Sequence, residues 1–332
     1  MTQNRQLAIA LQSDKHLAEY AGLARAVEDF GFDVLSIYSD LMYQPPLGPL
    51  TAAALATSRI RLGPASLNPY TLHPVEMAGQ VATLDLASQG RAYWGVSRGA
   101  WLQAIGIEQQ RPVTRVREAI DVVEHLLSGR TEAYCGSIFR IDANTSLRYK
   151  VQRAHVPLLI GSWGPKLLKT AGQRAAEVKI GGSTNPDLVP VIAQRLGEGS
   201  SCGIVMGAVT IVDEDRDVAR AAIRTEMALY LPVVAQLDPT VEIDPELIER
   251  MDALVTAGDQ QAAGKLIPED LLSRFSFAGN PFDIIEQCEA LFESGATRIE
   301  FGTPHGVSGN NGIDLLGRLV LPELRKGAQS GG

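Results

Sequence analysis

The sequence predicts an α/β protein folded as a (β/α)8 TIM barrel, with a helical insertion before the last barrel unit. Two observations carry this reading. Short β-branched runs alternate with longer helical ones along the chain, and the alternation repeats about eight times in 332 residues. Repeated β–α alternation implies a parallel sheet, because each helix returns the chain to the same end of the sheet. Eight units over this length suit a closed barrel, with a doubly wound open sheet as the alternative. No composition shift or Gly/Ser linker divides the chain, so residues 1–332 read as one domain with an insertion at about 213–270.

The elements follow in order. Residues 7–11 (LAIAL) form a short buried strand. Residues 17–30 put Leu17, Tyr20, Ala21, Ala24, Val27 and Phe30 at helical spacing, and Gly31 stops the run. Residues 34–38 (VLSIY) are a strand, 50–58 a helix, and 60–67 a strand interrupted by Gly63 and Pro64. Pro74 opens a helix that runs to residue 87, a position where its missing N–H is harmless. A strand at 92–96 and an amphipathic helix at 113–127 come next, then an irregular stretch, 134–151, expected as a β-hairpin excursion. Strands at 156–160, 178–180 and 204–212 are separated by helices at 165–175 and 188–196. A helical stretch from 216 to 265, interrupted near 237–245, makes the insertion. A helix at 281–294, capped by Gly295, and a strand at 298–301 close the series.

Composition excludes several classes. The formal charge is −8, and Lys and Arg are scattered, which argues against a nucleic-acid partner. Cys135, Cys202 and Cys288 are far apart, with no CxxC and no metal-ligand spacing, so no metal site is expected and a reducing compartment is. The first six residues are polar, and no apolar run approaches the roughly 20 residues that span a bilayer. The expectation is a cytoplasmic protein with a small-molecule substrate and no membrane partner.

In such a barrel, chemistry sits where strands end and βα loops begin. Those loops carry recognisable motifs here. LGPASLNPYTLH at 62–73 runs into PVEMAGQVATLDLASQGRAYWGVSRGAW at 74–101; LIGSWGPKLLKTAG occupies 159–172, and a last βα unit spans 277–302. In order and spacing these resemble the luciferase-like monooxygenase superfamily. The closer likeness is to its coenzyme F420-dependent branch, typified by methylenetetrahydromethanopterin reductase.

The resemblance implies a luciferase-like barrel with a flavin or deazaflavin pocket at its C-terminal mouth. It implies F420 as cofactor, with FMN as the alternative, and a homodimer. It also implies a cis Ala65–Ser66 peptide in the third strand, bulging against the cofactor's middle ring. The cofactor set it suggests is Asp40, Ala65, Ser66, Asn68, Arg98, Gly99, Gln103, Trp163, Gly164, Lys166 and Leu167.

Several of these residues have a physical reading of their own. Gly164 and Pro165 open a helix directly after a strand, where free N–H groups and the helix dipole favour a phosphate and Lys166 adds a charge. An ordinary turn with solvated lysines is the alternative. The Arg98 guanidinium suits a phosphate or carboxylate, or else a structural ion pair across the mouth. Gly99 permits close backbone approach. Asp40 serves a cofactor or caps its own loop.

Three departures bear on chemistry. Leu41 stands where sugar-phosphate dehydrogenases of the branch keep a histidine base. Ala100 stands where they keep an acid, and Ala10 where the pterin reductases keep a glutamate. This argues against sugar-phosphate oxidation and against pterin reduction. The remaining proton sources are Tyr38, Tyr43, Tyr70, His73, His305 and solvent, with His305 in GTPHG the first catalytic candidate and His73 a helix-start residue. Trp101, Trp163, Tyr43 and Tyr70 make an aromatic lining suited to an apolar or unsaturated substrate, or else lid packing. The expected activity is hydride transfer between deazaflavin and a small organic C=C, C=N or carbonyl compound. The alternatives are an FMN-dependent two-component monooxygenase and a non-catalytic cofactor-binding barrel.

Overall fold

Eight parallel strands close on themselves around a polar interior. The computed structural model describes residues 5–330. The strands in chain order are β1 (Gln6–Leu11), β2 (Val34–Ile37), β3 (Arg61–Pro64), β4 (Trp94–Val96), the hairpin strands β5 (Tyr134–Cys135) and β6 (Arg140–Ile141), β7 (Leu158–Gly161), β8 (Glu177–Gly181), β9 (Gly203–Val212), β10 (Phe277–Gly279) and β11 (Arg298–His305). The helices that return the chain include α1 (Leu17–Phe30), α2 (Leu47–Ala56), α3 (Pro74–Ala87), α4 (Pro112–Leu127), α5 (Pro165–Arg174) and α6 (Leu188–Leu196).

Register shows the closure. Ala8 pairs with Val34 and Leu35 with Leu62, and β3 meets β4 through the Leu62–Ala92 and Leu67–Val96 bridges. The ladder continues β4–β7–β8–β9–β11, and β11 returns to β1 with Arg298 opposite Gln6. An open sheet in this order would leave β3 and β4 as unpaired edges, and the bridges between them exclude that alternative. Each strand is covered by helices, which is why β1 reads as an unbroken apolar run.

Two regions differ from the sequence reading. β10, absent from the eight expected strands, pairs with Thr210–Val212 at the far end of the ten-residue β9. The hairpin excursion is present, but its paired part is only β5 and β6. Glu118 on α4 fastens it, accepting from the N–H groups of Ser137, Ile138 and Phe139 at 2.8, 2.8 and 3.0 Å. Burial alone would raise this carboxyl; the hydrogen bonds from Ser137, Phe139 and Ile138 outweigh it and hold the group at about 2.

The insertion is four helices with a core of their own: α7 (Arg216–Val234), α8 (Pro245–Thr256), α9 (Gln260–Lys265) and α10 (Glu269–Phe275). Ile223, Met227, Leu231, Met251, Leu272 and Phe275 pack together beneath β9 and β10. Asn185, in the loop after β8, ties it to the barrel. Its amide donates to Asp238 at 2.9 Å and Thr240 at 2.8 Å, and its oxygen accepts from Arg274 at 2.8 Å. After α11 (Pro281–Glu293) and β11 come α12 (Asn311–Leu315), one π turn, and α13 (Leu321–Ser330), the last of the described elements.

Candidate active site

The floor of the mouth is set by charged residues at alternate positions of two strands. Side chains two apart on a strand share a face, so Glu177 and Lys179 of β8, and Arg298 and Glu300 of β11, all point at the barrel axis. In the lower layer Glu177 lies 3.0 Å from Arg61 and 3.2 Å from Arg298, which is 0% exposed. In the next layer Glu300, 1% exposed, accepts from Ser36 Oγ at 2.5 Å and from Lys179 Nζ, with Arg298 at 4.0 Å. Ser36 Oγ also meets Tyr93 Oη at 2.7 Å. Burial would raise the Glu300 carboxyl, but Lys179 and Arg298 outweigh it and hold it below its ordinary 4.5. None of these residues was singled out from the sequence. The signal available was a pair of charges at i and i+2 within each of two otherwise apolar strands, EVKIG and RIEFG.

Above this floor the wall is thin. A Cβ at Gly207 would touch Lys179, one at Gly302 would stand 2.5 Å from Tyr38 Oη, and one at Gly181 would meet nothing within 4 Å. Gly207 and Gly302 are thus close-packing positions, while Gly181 borders open space. Gln12 donates to Asp40 at 3.0 Å on the β1–β2 side. Tyr230 and Val234 of α7 reach over the opposite rim: the Tyr230 phenol is raised by burial and then by Asp40, and Val234 packs on Gly182. The insertion thus supplies part of the mouth.

At the end of β3 the Ala65–Ser66 peptide is cis, as the resemblance implied. Ala65 N–H donates to Ile37 O at 2.9 Å, and Ser66 lies against the inward glycines of β4 and β7, 3.2 Å from a Cβ at Gly95 and 3.4 Å from one at Gly161. Asn68 is buried, and its Oδ1 accepts from Tyr70 N, Thr71 N and Thr71 Oγ1 at 3.0–3.1 Å, which fixes the turn. Gly99, at φ +79°, packs on Asn68. Gln109 donates to the carbonyls of Arg98 and Gly99 at 2.6 and 2.9 Å and sets this loop. The Arg98 side chain is exposed and takes no ion pair among the described residues, which leaves the structural-bridge alternative without a partner. Gln103 is exposed on the following short turn, beside the exposed Trp101.

At the end of β7, Gly164 caps α5 and its N–H donates to Ser162 Oγ at 3.1 Å. Lys166 is exposed in the first turn. The Trp163 indole donates to Gly181 O at 3.1 Å, bridging β7 and β8. Leu167 differs from the other members of the set: its N–H donates to Gly164 O at 3.1 Å and its side chain is buried in the core. It acts in packing.

His305 also departs from its expected part. It follows a cis Thr303–Pro304 bond, has φ +74°, is 3% exposed, and bonds Phe301 O through Nε2 at 3.1 Å. Burial pushes its pKa down to about 4, against the opposing pull of the Phe301 carbonyl. The imidazole is thus held against its own main chain at the end of β11. His73, as expected, caps α3, accepting from Val75 N at 3.2 Å. A surface cleft of about 440 Å³, lined by Lys169, Gly172, Gln194, Arg195 and Glu198, opens where α5 and α6 end, at the far end of the barrel from these loops.

The arrangement fits a planar, anionic cofactor. Arg98 and Lys166 are exposed on the loops after β4 and β7, and Ser66 lies between the inward glycines of those two strands. The profile of the luciferase-like monooxygenase family matches residues 1–298, and the chain belongs to that family. Within it the chain is 30% identical to a 5,10-methylenetetrahydromethanopterin reductase of Methanopyrus kandleri, covering 96% of this chain and 98% of the relative. It is 27% identical to an F420-dependent glucose-6-phosphate dehydrogenase of Nakamurella multipartita over 93% of each. The solved coenzyme F420-dependent tetrahydromethanopterin reductase from Methanopyrus kandleri superposes with a TM-score of 0.88 at 29% identity, covering 96% of this chain and 99% of that one.

Proposed function

We propose that the protein is an F420-dependent oxidoreductase that transfers hydride between the deazaflavin and a small organic substrate. The observation that carries this is the likeness to F420-dependent relatives over nearly the whole chain, with two exposed cations, Arg98 and Lys166, on separate loops of the mouth. Two such cations suit a long polyanionic tail better than the single phosphate of FMN, which favours F420 over the FMN monooxygenase alternative. When bound, the deazaflavin supplies the two-electron hydride chemistry. The chain's own residues bind and orient: Arg98 and Lys166 hold anionic groups, Ser66 and Ala65 set the height of the ring, and Asp40 and Gln12 provide a polar edge. Asn68 supports this from beneath by fixing the loop, and Gln103 and Trp163 border it.

The substrate side is apolar. Ala10 is fully buried at the end of β1, while Leu41 and Ala100 stand in the loops after β2 and β4, and none of them moves a proton. Relatives named for pterin and sugar-phosphate chemistry therefore share the barrel while this mouth favours an unsaturated or carbonyl compound. Titration with F420 and with FMN, followed by the fluorescence of Trp101 and Trp163, tests the reading. Saturable quenching by F420 is expected, and saturable FMN binding with no response to F420 would reject it.

The same reading includes a homodimer. α2 (LGPLTAAALA) carries no charged side chain on any face and leaves Leu55 74% exposed. A helix apolar all round is normally covered on both sides. Sedimentation of wild type against Leu55→Glu checks this, with a shift to monomer in the variant expected. No helix among the described residues is long and apolar enough to cross a membrane.

A further inference from the structure

Of the proton sources named from the sequence, one is left uncommitted at the mouth. Tyr70 Oη donates to Gln110 O at 2.8 Å, His73 caps α3, His305 is bonded to Phe301 O, and Tyr43 is largely exposed. Tyr38 follows β2 directly. Its main-chain carbonyl accepts from Ser13 Oγ, while its phenol has no hydrogen-bond partner among the described residues. The hydroxyl stands over Gly302, where any side chain would collide with it, and Lys179 Nζ lies 4.9 Å from the ring centroid. The geometry points to Tyr38 as the catalytic proton donor, hydrogen-bonding the oxygen or nitrogen of the substrate's polar double bond and protonating it as hydride arrives. This rests on the hydride-transfer reading above.

For an enone the step balances as follows. A hydride supplied by bound reduced deazaflavin would form a C–H bond at the β carbon, and the C=C pair would shift toward the carbonyl carbon. The carbonyl π pair moves onto oxygen, which takes the Tyr38 proton to give the enol. The phenolate left behind, with the Lys179 ammonium over its ring, regains its proton from solvent after product leaves. The groups facing the phenol are Glu300 of β11, Asp40 of its own loop, Tyr230 of α7, Tyr93 just before β4 and Lys179 of β8. Burial, then Glu300 and Asp40, hold the phenol protonated well above its ordinary 10, so it enters each cycle as a neutral donor.

The test uses the full chain loaded with oxidised F420 and carbonyl-13C cyclohex-2-enone as probe, comparing wild type with Tyr38→Phe by difference infrared spectroscopy. A bound carbonyl band at lower wavenumber than in water is expected in wild type and absent from Tyr38→Phe, with F420 affinity and Tm unchanged. Identical band positions in the two proteins, or no bound band in wild type, overturns the proposal. With reduced F420, Tyr38→Phe is expected to lower kcat for the enone about 10²–10⁴-fold with little change in KM. An unchanged kcat also overturns it. No turnover by wild type beside an intact band shift would sink the hydride-transfer reading while supporting Tyr38 as the carbonyl-binding donor.

Discussion

Replacing Glu300 by Gln probes the charged floor of the barrel. The substitution keeps size and removes one negative charge from a site that is 1% exposed, leaving Lys179 facing a neutral amide. Breaking a buried ion pair costs about 3–5 kcal/mol, because the surviving charge stays buried without compensation. Arg298 retains Glu177 at 3.2 Å, so the loss falls on Lys179 and the lower end, about 3 kcal/mol, applies. At about 2.1 cal/mol/K per residue, a chain of this length has an unfolding entropy near 0.7 kcal/mol/K, so Tm should fall by about 4 °C. The sign with pH is also fixed. Glu300 has a lowered pKa in the fold, so its contribution is complete above the ordinary 4.5 and is lost as pH falls through the folded value. Calorimetry of wild type and Glu300→Gln should show the full gap at pH 7 and a narrowing gap below pH 4.5. Lys179→Met combined with Glu300→Leu should recover much of the loss, since apolar replacement of a buried pair is often close to neutral. A gap under about 1 kcal/mol at pH 7, where breaking a buried pair predicts several, or one that widens on acidification, would refute the coupling.

Further substitutions separate binding from structure. Gly99→Ala places a Cβ 3.0 Å from Asn68 at φ +79°, so a loss of about 1–3 kcal/mol and weaker F420 binding are expected by chemical denaturation and fluorescence titration. Arg98→Ala, at an exposed side chain without an ion pair, should leave Tm unchanged; F420 affinity should drop about 10–100-fold, and its salt dependence flatten, if one charge-assisted bond is lost. His305→Asn keeps a residue type tolerant of φ +74° and should lower stability while leaving kcat within a few-fold. A hundredfold fall in kcat would restore His305 as the acid. With a pKa lowered to about 4, His305 contributes stability above 6.5 that is lost as pH falls toward 4, so Tm of wild type and His305→Asn should converge over that window.

The barrel was legible because β–α alternation is a property of local sequence: β1 and β2 are apolar runs between helices with clear caps at His16, His73 and Gly31. The cis Ala65–Ser66 bond was legible only through resemblance, since no local pattern in PASLN distinguishes it from a Gly-Pro turn. The burial of Leu167 follows from the α5 periodicity, which turns Leu167 and Leu168 inward and Lys166 out. His305 was read from its loop position alone, and its backbone partner Phe301 lies four residues back on a strand that runs further than expected. β10 was missed because three residues, FAG, carry too little pattern to register as a strand.

The interior charges explain how a mouth without the usual acids keeps an ordered floor. Two carboxylates and three cations form two adjoining layers, and β8 and β11 each contribute at alternate positions, so a one-residue slip of either would turn both its charges into the apolar helix layer. Register here is therefore fixed by charge as well as by apolar pattern. That register sets where Gly181 and Gly302 fall, two residues beyond Lys179 and Glu300, the first bordering open space and the second packed under Tyr38. Asn185 lies four residues beyond Gly181 and anchors Asp238, Thr240 and Arg274 of the insertion. The rim formed by Tyr230 and Val234 is thereby tied to the same strand that carries Lys179. Floor, opening and rim are coupled through β8, so a substitution that slackens Asn185 should alter pocket shape before it unfolds the barrel.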